Sequence, residues 1–580
     1  LLKLTFFLKI LLSSKFYIKG GRICICLKLL KFASPVNQGK RTGAISRLKP
    51  ALDNTNRSFM LQMQRPIFIL LALSGFVLLS SCKGKGIFAK KSPKSSVTGW
   101  NYNEKGGFQV AQAKDQATGP GLVFVEGGTF TMGQTEEDVM GDWNNIPRRV
   151  SVPSFYMDRT EVANVHYREY IFWLAKIFDP SDPENVKIVE GALPDTLVWR
   201  SELSYNEPSV ELYFRHPAFN YYPVVGVSWK QAKDFCLWRT DRYNESTLVE
   251  KGYINKNNLK PGAQQGDNNF NTRSYLLGLY TAPPGKAMRA SRGRAPQQPS
   301  LESGIVSPEY RLPFEAEWEY AAYGLIGQNP RTSLKEGKRG EELQSNKQVY
   351  PWAQNVNGLR ENRRGSLQGQ FYANFKRGSG DNAGVAGGLN DRSFYTAPVE
   401  SYYPNAFGLY NMAGNVSEWV EDTYRPLSNL DFDDQPAPFR GNKFMKLYVA
   451  DSTTLDPSAR YEKDSLGRVK MLEVTEADAR NRRNYQKGNV INYLDGDSLS
   501  SAAYAYGTST LLDPERSKVF KGGSWNDRAY WLSPGARRHL EEDLSAATIG
   551  FRCAMNRVGS PELGNKRKTG QYFPTKRQKR

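Results

Sequence analysis

From Gly121 onward the apolar runs are short, and each is cut by turn residues. Leu122-Val123-Phe124-Val125 fits one short strand, and Glu126-Gly127-Gly128 turns the chain into a second, which ends at Met132-Gly133. The run Phe155 to Val162 predicts a strand that feeds a helical stretch around His166 to Leu174. Pro223 to Trp229 predicts another strand ending at Ser228, a good N-cap, after which Ala232, Phe235 and Cys236 recur at helical spacing. Arg311-Leu312-Pro313 precedes a further helix over Glu315 to Ala322. With 51 Gly and 32 Pro, the chain favours loop and turn over long helix. Its 580 residues allow two to four units, or one large domain carrying long insertions.

The region before Gly121 has a different character. No methionine precedes Met60, and residues 1–59 hold twelve basic residues against the single acid Asp53. They are read as sequence translated upstream of the native start, because a signal that must be N-terminal lies behind them. That signal, residues 60–81, has Arg65, the apolar run Ile67 to Leu79, and then Leu79-Ser80-Ser81-Cys82. The apolar run is too short to span a bilayer comfortably, and its end resembles the lipobox of bacterial lipoproteins. Such a resemblance makes Cys82 the lipidated first residue of the mature chain, held by several acyl chains in the outer membrane. Residues 82–120 lack apolar periodicity and are expected to be a flexible tether. No acidic residue follows Cys82 closely, which by resemblance to Bacteroidetes lipoproteins points to the periplasmic face.

Charge is confined to the ends. The net charge is +21, yet the stretch 82–564 comes to only +2. A nucleic-acid-binding body is thereby excluded. The tail 560–580 carries seven basic residues around Tyr572-Phe573-Pro574 and is expected either to be a solvated, disordered end or to dock on an acidic partner or envelope polymer. Once the leader and Cys82 are set aside, Cys236 and Cys553 remain of five cysteines, and two thiols in an oxidising envelope suggest one disulfide.

Several ordered blocks carry a resemblance. They are Phe124 to Gly133, Val224 to Trp238, Arg311 to Tyr320, Tyr350-Pro351-Trp352, Ala397-Pro398-Val399, Gly408 to Trp419, Lys521-Gly522-Gly523-Ser524-Trp525 and Gly550-Phe551-Arg552-Cys553. In this order they resemble the formylglycine-generating, sulfatase-modifying-factor family. The resemblance implies an α+β, loop-rich fold related to C-type lectins, here over residues 121–559. It also implies a structural disulfide between Cys236 and Cys553. A second family bridge is missing, since Ala322 stands at one position and no cysteine lies near Arg537.

The family's oxygen-dependent chemistry uses two thiols that hold Cu(I) shortly after the Gly-Gly-Ser motif, and those positions carry Asp527 and Leu532. A hard carboxylate does not retain Cu(I), and leucine has no donor atom, so no copper and no catalytic residue is expected. The three histidines, His166, His216 and His539, lack the spacing of an iron site and are expected to be solvated or capping. Calcium is the cofactor that the resemblance implies. One ion would be held by the side chains of Asn411 and Glu418 with the carbonyls of Gly414 and Val416. A second would be held by Asn374 and Asp391 with the carbonyls of Phe375 and Ser393. Hard cations take six to eight oxygens, and one carboxylate per site implies a structural role.

Residues 241–305 and 426–516 are read as two long insertions, the first polar with Asn257-Asn258 and Asn268-Asn269, the second holding Asp431-Phe432-Asp433-Asp434. Loops of this length are usually functional surfaces or disordered. Lipobox, silent catalytic fold and insertions together resemble the gliding-motility lipoproteins of the Bacteroidetes. The expected role is structural, in the gliding and type IX protein secretion machinery. The partners would be other envelope proteins of that machinery, the outer membrane through the lipid, and possible contact with peptidoglycan. Two other readings stay open: an active enzyme of the same fold with a relocated site, and a lectin-like module for carbohydrate or peptidoglycan.

Overall fold

The computed structural model describes residues 17–19, 22–24 and most of 94–559, without 286–298, 324–347, 379–392, 425–444 and 479–515. The signal segment 60–81, Cys82, Asp391 and the tail 560–580 therefore lie outside the described residues. The chain divides into two units, Leu1–Lys91 and Ser92–Arg580. In the first, β1 (Tyr17–Lys19) pairs antiparallel with β2 (Arg22–Cys24). Everything below belongs to the second.

Here β3 (Leu122–Val125), β4 (Gly128–Met132), β5 (Arg148–Val152) and β6 (Phe155–Asp158) are followed by the helix α1 (Asn164–Ile177) and by α2 (Pro183–Ala192). After α3 (Glu207–Leu212) comes the long α4 (Trp229–Glu250), then α5 (Thr272–Leu276), β7 (Tyr310–Arg311) and α6 (Glu315–Tyr323). The chain continues through β8 (Ser417–Thr423), β9 (Met445–Leu447), β10 (Met471–Glu473), β11 (Ser517–Lys521), β12 (Arg538–Glu541), β13 (Ile549–Gly550) and β14 (Ala554–Asn556). Strands and helices mix in the α+β manner. No described helix is long and apolar enough to cross a membrane.

Two four-stranded sheets organise the unit, in the orders β3-β6-β14-β7 and β12-β11-β8-β13. The first joins the two ends of the domain, because β14 pairs antiparallel with both β6 and β7. In the second, β13 runs parallel to β8. Helix α1 buries Asn164, Tyr167, Tyr170, Leu174 and Ile177 at three- and four-residue spacing, a single face. That face meets α4, where Tyr167 stacks on Phe235 at 5.6 Å. Together with Trp419 and Phe551 they form one core. A second core lies between β4-β5, α6 and β8, around Phe130, Trp318, Val420 and Val519.

Helix α6 is buried along its whole length, carboxylates included. Buried charge is tolerable only when paired. Accordingly Lys521 Nζ donates to Glu319 at 2.9 Å and to Glu315 at 3.1 Å, and Arg537 Nε donates to Glu315 at 2.7 Å.

Three expectations need correction. Residues 223–228 form no strand; a single bridge joins Pro223 to Ala163. Gly226 takes φ +73° and a Cβ there would lie 2.2 Å from the Asp195 carbonyl, so the segment bonds to loops instead of a sheet edge. Ser228 does cap α4, in a reciprocal box with Gln231. The expected insertion boundary at 241 falls inside α4, which runs on to Glu250. The tether boundary at 120 is also late: Gln116 Nε2 donates to the Asn556 carbonyl at 3.0 Å, and Val558 N donates to Gln116 Oε1 at 2.8 Å.

The described parts of the two long segments are structured. The first has its own small core of Leu248, Phe270, Tyr275 and Tyr280. The second docks on it, since Ser274 Oγ donates to the Gly467 carbonyl and Asn269 Nδ2 to that of Leu466, both at 2.9 Å.

Candidate functional site

The Gly-Gly-Ser turn follows β11. Gly522 and Gly523 hold φ of +99° and +68°, and a Cβ at Gly523 would lie 2.8 Å from the Trp531 carbonyl, so only glycine turns the chain here. Ser524 is fully buried. Its Oγ and its N–H both donate to Asp527 Oδ2, at 2.5 and 2.8 Å. Across the turn Arg538 Nη1 meets Asp527 Oδ1 and Nη2 meets Oδ2, each at 2.6 Å. The same Nη2 donates to Ser417 Oγ at 2.9 Å. Aromatic rings flank the guanidinium, Trp531 at 4.7 Å and Phe520 at 4.8 Å. Leu532 has no exposed surface and packs with Trp352, Tyr372, Phe375 and Ala413.

Asp527 and Leu532 thus come together as a clamped carboxylate beside an apolar plug. Both oxygens of the Asp527 carboxylate are taken up by the guanidinium fork, with the Ser524 hydroxyl and amide added on Oδ2. Neither residue offers a soft donor for Cu(I). The histidines do not supply an alternative: His216 Nδ1 caps a 3₁₀ turn by accepting from Ala218 N at 3.2 Å, and His539 lies against Tyr424. Burial pushes both His166 and His539 below their usual range. Among the described residues no group of three or more His, Cys, Asp or Glu is arranged to hold a metal.

The first calcium set, Asn411, Gly414, Val416 and Glu418, does not fit a cation. Glu418 is wholly buried and engaged: Arg552 Nη2 donates to Oε1 at 2.5 Å and Nε to Oε2 at 2.6 Å, while Trp318 Nε1 adds a bond to Oε2 at 2.7 Å. A guanidinium already neutralises the one carboxylate of the set, and a second cation beside it would be repelled. Asn411 donates Nδ2 to Glu161 Oε2 at 3.0 Å, and Asn415 donates to Glu161 Oε1 at 2.9 Å. Burial raises Glu161 to about 8, with Arg552 opposing. In this structure Glu418 is the ion-pair partner of Arg552.

The second set differs. Asn374 is fully buried, its Nδ2 donates to the Tyr395 carbonyl at 2.7 Å, and its Oδ1 has no hydrogen-bond partner. An orphaned buried acceptor is costly unless something donates to it or it ligates a cation. The chain brings Phe375 directly beside it and Ser393 two residues before Tyr395, while Asp391 lies outside the described residues. The donor chemistry fits a hard cation.

Cys236 and Cys553 are brought together, but as free thiols with Sγ atoms 3.3 Å apart. A disulfide requires about 2.05 Å. In this structure the bridge is not formed; burial among Phe235, Phe551 and Tyr167 keeps both sulfurs in an apolar setting and pushes the Cys236 thiol up.

Sequence reasoning does not reach Glu161, Arg538 or Arg552. Arg552 stands inside a block used for recognition, and a buried arginine needs a buried carboxylate, which is the signal that could have paired it with Glu418.

The sulfatase-modifying factor enzyme 1-like domain matches residues 107–557. The chain belongs to that family. Among relatives, the formylglycine-generating enzyme of Mus musculus is 23% identical over 314 residues, covering 52% of this chain and 58% of that enzyme. The Bos taurus enzyme is covered to 57%, so the match spans little more than half of these relatives. The inactive C-alpha-formylglycine-generating enzyme 2 of Mus musculus is 25% identical over 338 residues, covering 55% of this chain and 72% of that protein. Of solved structures, PvdO from Pseudomonas aeruginosa is matched over 76% of this chain and 100% of its own, at 16% identity and a TM-score of 0.33. Some members of the sulfatase-modifying-factor family are therefore non-catalytic.

Proposed function

We propose that this sulfatase-modifying-factor chain is a non-catalytic lipoprotein, anchored through Cys82 to the periplasmic face of the outer membrane. It acts by contact, as a structural component of the gliding-motility and type IX secretion machinery, in the manner of GldJ-type lipoproteins. The observation that carries the non-catalytic half is the Asp527–Arg538 clasp with Leu532 buried beside it, where the family's chemistry places two thiols. Inactive relatives in the family support it. The lipobox-like ending at Cys82 and the two structured long segments support the anchored, partner-binding half.

Calcium belongs to this reading as a structural ion at the second set only. Asn374 Oδ1 and Asp391 would hold it with the carbonyls of Phe375 and Ser393, and its contribution would be to pin the loop that carries Leu532's neighbours. The chemistry such an ion supplies is charge and geometry, not turnover.

Two experiments test the proposal. Purified protein is incubated with cuprous ion and a cysteine peptide; aldehyde formation would overturn the non-catalytic half. In native envelopes, Cys82→Ser is expected to release the protein from the outer membrane and stop gliding and secretion, while crosslinking should recover other envelope components.

A further inference from the structure

Residues 359–377 hold Arg360, Arg363, Arg364, Lys376 and Arg377 against the single acid Glu361, in a body that is otherwise close to neutral. They begin as a hairpin. Glu361 N donates to the Gln370 carbonyl at 2.9 Å, Gly369 N donates to that of Glu361 at 2.7 Å, and a bridge joins Arg360 to Phe371. The stretch is then fastened to the Gly-Gly-Ser turn: Lys376 N donates to the Asp527 carbonyl at 2.9 Å, and Lys376 Nζ to Asn526 Oδ1 at 3.4 Å. Arg528 follows directly and is exposed, so the cations form one strip from the hairpin to the turn.

Elsewhere in the unit arginines are met by carboxylates, as Arg239 is by Asp158, Arg311 by Glu317 and Arg468 by Asp234. Here they are not. Arg360, Arg363, Arg364 and Arg528 are exposed, and none makes an ion pair among the described residues. Glu361 is occupied within the hairpin, accepting from Arg363 N at 2.8 Å and from the Tyr372 hydroxyl at 2.9 Å. Like charges gathered without counter-ions repel one another, a cost that a bound anion removes.

The strip is also braced. The Arg360 guanidinium lies 4.1 Å from the centre of the Phe371 ring, and that of Arg377 4.2 Å from the same ring. Phe371 packs edge-on against Phe375 at 5.7 Å, and Phe375 sits in the core with Trp352, Tyr372 and Leu532. A guanidinium held over a fixed ring has little freedom left to lose on binding and keeps its in-plane N–H groups for an anion. The hairpin tip from Asn362 to Ser366 exposes no apolar side chain that could enter a lipid phase. An elongated row of guanidinium forks suits carboxylates strung along a chain.

We propose that this strip is the docking surface for an extended acidic polypeptide segment, whose Asp and Glu side chains take the forks of Arg360, Arg364 and Arg528. The inference deepens the contact reading above and rests on it, but it uses neither the lipid anchor nor the calcium set. The aldehyde and Cys82→Ser experiments judge that reading separately, so the two can fail apart.

The test titrates the full chain, in chelator so that no calcium bridges, with a fluorescent Asp-Gly-Glu-Gly repeat peptide and with its Asn-Gly-Gln-Gly counterpart. Saturable binding of the acidic peptide alone is expected, weakening as salt is raised. Because the ends of the chain are basic, a charge-matched comparison separates this strip from net charge. Arg360→Gln with Arg364→Gln should weaken binding at least about tenfold. Lys256→Gln with Lys260→Gln, which removes two exposed cations from the first long segment, should leave it unchanged. Arg360→Lys keeps the charge and gives up the planar fork, so a loss of about threefold is expected at an unchanged melting temperature. Phosphatidylglycerol vesicles and inorganic polyphosphate are the competing arms. The proposal falls if the neutral peptide binds as well, if the two double variants bind alike, or if only the vesicles or the polyphosphate bind.

Discussion

Arg538 grips Asp527 with two parallel bonds of 2.6 Å, one to each carboxylate oxygen. Both side chains are largely shielded, at 23% and 15% exposure, so the pair is more than a surface contact.

Asp527→Ala leaves the Arg538 guanidinium and the Ser524 hydroxyl and N–H without their shared anion. A loss of about 1–3 kcal/mol is expected, read from urea denaturation. Asp527→Asn, which keeps one acceptor, should lose less. Equal stability of Asp527→Ala and the parent would show that the clasp is idle.

Glu418 and Arg552 have no exposed surface, and truncating one member strands the other. Glu418→Ala should cost about 3–5 kcal/mol. That cost should be the same in calcium and in chelator if the Arg552 pair is what occupies the Glu418 carboxylate. A cost that vanishes in chelator would restore the first calcium set.

Asp422 is held up at about 8 from 3.8, chiefly by burial and next by the Glu315 carboxylate. The folded state therefore keeps a proton that the unfolded chain loses near pH 4. Unfolding then releases that proton between about pH 4 and 8, so stability falls as pH rises through this window. Glu315, drawn down to about 2 by Arg537 and Lys521 against its own burial, acts oppositely: its contribution is lost as pH falls from about 4.5 toward 2. Melting temperature should peak in mildly acid buffer, and Asp422→Asn should flatten the decline toward pH 8. A profile rising from pH 5 to 8 in the parent would contradict this.

Asn374 Oδ1 offers a direct check on calcium. The parent should melt at a higher temperature in calcium than in chelator, and Asn374→Leu should abolish the difference. An ion-independent parent would leave the orphaned acceptor unexplained by a cation.

Much of the frame is legible in the chain itself. The spacing of Tyr167, Tyr170 and Leu174 announces α1, and Ser228 with Gln231 three residues later announces the start of α4. The residues 223–228 mislead because a run of valines has strand character, while the tertiary contact of Gly226 with Asp195 decides against a strand. Asp527 and Leu532 can be located from the Gly-Gly-Ser turn, yet their partners cannot. Arg538 is eleven residues away on the next strand, and Arg552 meets Glu418 across 134 residues. Charge pairing over such separations is set by sheet order, which no local pattern encodes.

Gln116 is hydrogen-bonded to Asn556 and Val558, at the point where the chain enters the domain and where it leaves. The strand beside this stitch, Ala554–Asn556, sends Met555 into one core and Ala554 into the other, so the place where the chain enters and leaves is fastened to both.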